Sequence, residues 1–74
     1  MDQSIEPIYR KISYRLKAER ERQKLSQDKI AELSGISRSS ICAIENNAQR
    51  IHIHDLLKLC AVLKLKPFTF FVKT

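Results

Sequence analysis

The stretch that decides the fold is Gln27–Asn46, which reads QDKIAELSGISRSSICAIEN. It contains two short helical patterns, and the only glycine of the chain, Gly35, lies between them. Ser26 and Ser37 precede the two patterns, where a serine hydroxyl can accept a hydrogen bond from a free N–H of the first helical turn. Gly35 suits a helix end in the left-handed conformation. We therefore predict two helices, over about residues 27–34 and from the Ser37 cap to about residue 46, joined by a tight turn.

Two helices that meet at a steep angle across a short glycine-containing turn make a helix-turn-helix unit. In such a unit the second helix enters the major groove of DNA, and its first residues contact base edges. Ile41 and Ile44 mark the buried face of this predicted second helix. The opposite face carries short or hydrogen-bonding residues, which are Arg38, Ser39, Ala43 and Asn47. Small side chains let a backbone approach another surface closely, so this face is the candidate DNA-contacting surface.

The remainder of the chain is also predicted to be helical. A first helix over about residues 7–24 places Ile8, Ile12 and Leu16 at four-residue spacing, which predicts its buried face. A broad apolar stripe predicts a fourth helix over about residues 53–63, and a short fifth helix begins at Pro67. One glycine and two prolines leave little room for linkers. We predict an all-α, five-helix fold that forms a single domain over residues 1–74.

An aromatic cluster follows Pro67. Phe68, Phe70 and Phe71 occupy three of four successive positions and cannot all face one small core. An exposed aromatic cluster marks an interface, so we assign Phe68 and Phe71 to a homodimer contact. The alternative is that the C-terminus folds over the domain and buries all three rings.

Composition narrows the class of protein. Fourteen Lys and Arg against eight Asp and Glu give a formal charge of +6, and the pI is about 9.7. So basic a small domain favours a polyanionic partner, although other small basic proteins bind no nucleic acid. We find neither an apolar run long enough to span a membrane nor a secretion signal. Cys42 and Cys60 have no zinc-site spacing, which favours two unpaired thiols in a reducing cytoplasm and no metal or cofactor.

From Arg20 to Phe71 the chain resembles the Cro/CI-type (XRE) helix-turn-helix proteins, which include phage repressors and restriction–modification controller proteins. The resemblance rests on the order and spacing of Leu25-Ser26-Gln27, Ile30-Ala31, Gly35-Ile36-Ser37, Ile41, Ile44-Glu45-Asn46, Leu56-Leu57-Lys58-Leu59, Leu63, Pro67 and Phe70-Phe71. It implies a compact lambda-repressor-like DNA-binding domain encoded by a bacterium or a phage.

The resemblance also implies roles for particular positions. Base contacts fall on Arg38, Ser39 and Ala43. Phosphate contacts fall on Gln27, Ser40, Asn46 and Asn47. Arg20 and Glu45 correspond to an ion pair that ties the first helix to the third. Asn47 stands where the family usually has glycine, and Ala43 can offer only a methyl contact to thymine, which leaves most hydrogen-bonded readout to Arg38.

These features predict a sequence-specific transcription regulator that binds double-stranded DNA as a homodimer on a near-palindromic operator. The family resemblance further implies that the protein acts on its own promoter. RNA polymerase is a further candidate partner. One alternative is an antitoxin-like or other protein-binding module that uses the C-terminal aromatic surface. An enzyme is a second alternative, because His52 and His54 lie near Asp55 on a predicted loop, but no third metal ligand is evident. We therefore expect no catalytic residues.

Overall fold

Four helices form the part of the chain that the structure, a computed structural model, describes, which is residues 5–67. They are α1 (Ile5–Arg22), α2 (Gln27–Ser34), α3 (Arg38–Glu45) and α4 (Ile53–Leu63). The predicted all-helical architecture is confirmed for this range. The predicted fifth helix begins at Pro67, and Phe68, Phe70 and Phe71 lie outside the described residues, so the aromatic interface stays a prediction.

The turn between α2 and α3 forms as its capping residues predict. The Ser26 hydroxyl accepts a hydrogen bond from the Lys29 backbone N–H at 3.0 Å. The Ser37 hydroxyl accepts one from the Ser40 N–H at 3.1 Å. Gly35 is left-handed, with φ of 77°, and its N–H donates to the Ala31 carbonyl at 2.9 Å. These caps fix where α2 begins and ends and where α3 begins, and α2 packs against α3 across the turn.

Helix α1 begins and ends two residues earlier than predicted, and its buried face is different. Ile8 is 42% exposed, whereas Ile12, Ser13, Leu16 and Arg20 are buried. With 3.6 residues per turn, each four-residue step advances the side chain by about 40° around the helix. The stripe is centred near Leu16, so Ile8 lies roughly 80° away from it and faces solvent.

The core lies where α1 packs across α3 and α4, and α2 packs against the same two helices. Its buried side chains are Ile12, Leu16, Ile30, Ile36, Ile41, Ile44, Ile51, Leu56, Leu59, Cys60 and Leu63. Burial raises the pKa of the Cys60 thiol, so Cys60 behaves as a small apolar core residue.

Each of the four helices is followed by a left-handed residue, and only one of these is glycine. The φ angles are 59° at Lys24, 77° at Gly35, 58° at Asn47 and 63° at Lys64. The Gln23 side-chain amide also donates to the Leu63 carbonyl at 2.8 Å, which satisfies a terminal carbonyl of α4 and joins that end to α1.

Candidate nucleic-acid interface

The outward face of α3 forms one wall of an open surface depression. The depression is lined by Gln27, Arg38, Ser39, Cys42, Ala43, Asn46 and Ala48. Five of the seven residues predicted to contact DNA are therefore brought together in one place. Cys42 and Ala48 were not assigned a DNA contact from sequence. Cys42 nevertheless lies on the same side of α3 as residues 38, 39 and 43, which the sequence did single out.

Ser40 and Asn47, the other two predicted phosphate contacts, do not line this depression. The Ser40 hydroxyl accepts a hydrogen bond from the Ser37 hydroxyl at 3.0 Å, so part of its bonding capacity belongs to the cap of α3. Asn47 is exposed and left-handed just beyond the other end of α3. Ser40 therefore lies in the first turn of α3, and Asn47 lies two residues beyond its C-terminal end.

An ion pair between Arg20 and Glu45 joins α1 to α3. Arg20 Nε donates to Glu45 Oε2 at 2.7 Å, and Nη2 donates to Oε1 at 3.0 Å. Arg20 Nη1 donates to the Leu25 carbonyl at 2.7 Å. The Glu45 carboxylate raises the pKa of Arg20 above its ordinary value, because it accepts hydrogen bonds from the charged guanidinium. The pair joins α1 to α3, and the Leu25 contact ties in the segment that leads to α2.

Gln27 extends this network to the surface. Its side-chain amide donates to Glu45 Oε1 at 3.1 Å. A side chain at the edge of the depression is therefore braced by the same carboxylate that anchors α3. This fixes the relative positions of α2 and α3 at the surface where both are exposed.

Arg38, at the first position of α3, has a partner that the sequence did not identify. Its Nε lies 3.3 Å from Oδ1 of Asp28, which belongs to the first turn of α2. Both side chains remain largely exposed. Asp28 also lies near the positive end of the α2 dipole, which favours a carboxylate there. At the far end of α3, the Asn46 amide donates to Cys42 Sγ at 3.4 Å.

The two histidines do not make a site with Asp55. Helix α4 spans Ile53–Leu63, as predicted, so His54 lies in its first turn and the placement of both histidines on a loop is wrong. His52 precedes α4 without a side-chain capping bond. Among residues 5–67, His, Cys, Asp and Glu side chains form no group of three that could hold a metal ion. The same range contains no helix with the length and apolar character needed to cross a bilayer.

A helix-turn-helix family model matches residues 16–71, which is most of the chain. The chain belongs to the XRE-type helix-turn-helix family of DNA-binding regulators. The family resemblance identified from Arg20 to Phe71 is thereby confirmed. A search of curated proteins gave no significant match.

Solved structures of regulators of this family share its fold. The restriction–modification controller protein C.AhdI from Aeromonas hydrophila is 32% identical, with a TM-score of 0.78, over 85% of this chain and 96% of that one. The N-terminal DNA-binding domain of SinR from Bacillus subtilis is 30% identical, with a TM-score of 0.79, over 88% and 96%. SinR, described as a master regulator for biofilm formation, has also been solved in complex with DNA; that structure is 32% identical, with a TM-score of 0.76, over 82% of this chain and 98% of that one. These relatives are thus a controller protein, a DNA-binding domain and a regulator in complex with DNA.

Proposed function

We propose that this helix-turn-helix protein is a sequence-specific transcription regulator that binds a near-palindromic operator as a homodimer and acts on its own promoter. The observation that carries the proposal is the depression on α3, because it gathers Gln27, Arg38, Ser39, Ala43 and Asn46 on one open face. An α-helix fits the major groove, and its N-terminal residues reach the base edges first.

Base recognition falls to the first turns of α3. The Arg38 guanidinium can bind O6 and N7 of one guanine through two parallel hydrogen bonds. Ser39 offers a hydroxyl that can donate or accept, and Ala43 offers a methyl group that suits the C5 methyl of thymine. Discrimination at the hydrogen-bonding level therefore depends mainly on Arg38.

Phosphate contacts would set the register of the protein on the duplex. Gln27, Ser40, Asn46 and Asn47 carry hydroxyl or amide groups at the two ends of α3 and at the start of α2. The net charge of +6 adds a long-range attraction to the DNA backbone. Binding should therefore weaken steeply with salt, because each neutralised phosphate releases counterions.

Dimerisation supplies the contacts that one eight-residue recognition helix lacks. Two copies related by a two-fold axis would place their α3 helices in successive major grooves, about one helical turn of DNA apart. We assign the homodimer contact to Phe68 and Phe71. Occupancy of the operator would regulate the promoter by blocking RNA polymerase or by contacting it.

The test uses a duplex selected by the wild-type protein from random DNA, and a scrambled duplex of the same length. Arg38→Ala should weaken binding to the selected duplex by about 1–3 kcal/mol and relax preference at one base pair per half-site. Lys17→Ala is the matched control, since it removes the same charge from an exposed position on α1. Fluorescence anisotropy between roughly 50 and 200 mM salt should show affinity falling by orders of magnitude. Equal losses on both duplexes would mean that Arg38 is only a phosphate contact.

A further inference from the structure

We propose that Asp28 is a positioning residue for DNA recognition, which orients Arg38 for readout of a guanine and so determines specificity at that base pair. The inference rests on the proposed function, because it assumes that α3 reads bases. It concerns a carboxylate on the same side of the molecule as the predicted DNA contacts.

The geometry of the pair assigns this role. Asp28 Oδ1 lies 3.3 Å from Arg38 Nε, and the two residues occupy the first turns of α2 and α3. A guanidinium presents separate hydrogen-bonding edges in one plane. A carboxylate that holds Nε leaves the edge formed by Nη1 and Nη2 open. That open edge is the one that can form a two-bond fork with O6 and N7 of guanine.

The advantage lies in the conformational freedom of the free protein. An arginine side chain has several rotatable bonds, and the Arg38 side chain is 65% exposed, so DNA binding must order it. Asp28 restricts these conformers before DNA arrives. Ordering a flexible side chain at an interface weakens binding by roughly twofold to tenfold, and part of that cost is removed in advance when a partner already holds the side chain.

A carboxylate on a DNA-binding face otherwise works against binding. Asp28 follows Gln27, a predicted phosphate contact, and its charge repels the phosphate backbone regardless of sequence. Simple repulsion and positioning therefore predict different effects on selectivity. Removing a merely repulsive carboxylate tightens binding to every duplex, whereas removing a positioning residue lowers the preference for the selected site.

The experiment measures selectivity for Asp28→Ala and Asp28→Asn. The probes are a duplex selected by the wild-type protein from random DNA, its single base-pair variants and a scrambled duplex. Glu32→Ala is the matched control: the Glu32 side chain is 72% exposed on the same helix and pairs with Lys29 at 3.7 Å. Circular dichroism of each variant checks that the loss of Asp28 from the start of α2 leaves the helices intact.

Asp28→Ala should reduce the ratio of selected to scrambled affinity by about twofold to tenfold, which lies within the cost of ordering one side chain. The loss should fall at the base pair whose substitution no longer matters to Arg38→Ala. In the Arg38→Ala background, Asp28→Ala should leave selectivity unchanged. Asp28→Asn keeps a neutral acceptor near Nε and should restore part of the ratio, while Glu32→Ala should leave the ratio at the wild-type value.

Two results would overturn the inference. If Asp28→Ala tightens binding to both duplexes and preserves their ratio, as expected for Glu32→Ala, Asp28 acts only by repulsion. If its effect on selectivity persists in the Arg38→Ala background, Asp28 does not act through Arg38. A wild-type protein that binds all duplexes equally would instead refute the proposed function, and the inference with it.

Discussion

Loss of the Glu45 carboxylate should lower the melting temperature of this domain by a large amount, although Glu45 is not assigned a DNA contact. The Glu45 side chain is 5% exposed and that of Arg20 is 10% exposed. In Glu45→Ala, the Arg20 guanidinium would keep the Leu25 carbonyl and lose the two hydrogen bonds to Glu45. The result is a buried charge without its main counter-charge.

The magnitude follows from that geometry. Breaking a buried ion pair by removing one partner costs about 3–5 kcal/mol, and we expect about 3 kcal/mol here because Leu25 still accepts one bond. A chain of this length has a total stability of about 4–11 kcal/mol, so the loss is a large fraction of it. The melting temperature should fall by about 12–24 °C. Because folding raises the pKa of Arg20, the ion pair stabilises the domain fully at any pH below the ordinary arginine pKa and is lost only as the pH rises past the raised value. The unfolding measurements can therefore be made at neutral pH.

The assay is urea unfolding followed by circular dichroism for Arg20→Ala, Glu45→Ala and the double variant. A coupling energy of about 2 kcal/mol is expected, because the double variant leaves neither charge unpaired. Arg22 and Glu19 provide the control pair: they are joined at 2.9 Å, but the Arg22 side chain is 69% exposed, and their coupling should be far smaller. A coupling within about 0.5 kcal/mol of zero for Arg20 and Glu45 would refute this reasoning.

Three further outcomes are expected. Gly35→Ala should destabilise the domain by about 1–2 kcal/mol through backbone strain alone, since its new Cβ would meet no atom within 4 Å; an unchanged urea midpoint would contradict this. A thiol reagent should modify half-buried Cys42 quickly and Cys60 only after unfolding, because Cys60 is buried and burial raises the pKa of its thiol. Bound operator DNA should slow the modification of Cys42, and equal rates with and without DNA would mean that the DNA binds elsewhere. Phe68→Glu should stay helical by circular dichroism and sediment as a monomer, and a variant that remains dimeric would move the proposed interface away from Phe68.

Local signals made the helix-turn-helix predictable. Ser26, Gly35 and Ser37 each determine a helix boundary through bonds to residues three or four positions away, so sequence alone placed α2 and the start of α3 correctly. The same signals put Arg38, Ser39 and Ala43 on one face, because a helix of eight residues leaves few choices of face once Ile41 and Ile44 are buried.

Long-range features were harder to predict. The buried position of Arg20 depends on Glu45, 25 residues later, so the resemblance indicated the pair but the periodicity of α1 did not. The apolar pattern also misplaced Ile8, because repeated four-residue spacing drifts around the helix. Asp28 and Arg38 meet only once the turn brings α2 against α3, and no local motif records that contact.

The left-handed residues that follow the helices show a conflict between backbone preference and charge. Glycine would adopt these φ angles without the β-carbon clash, yet Lys24 and Lys64 follow α1 and α4. A lysine there places a positive charge near the negative end of the helix dipole and adds to the electrostatic field of the domain. A Lys→Gly substitution at either position should therefore weaken DNA binding and raise the melting temperature, because it removes a positive charge and a strained backbone conformation together.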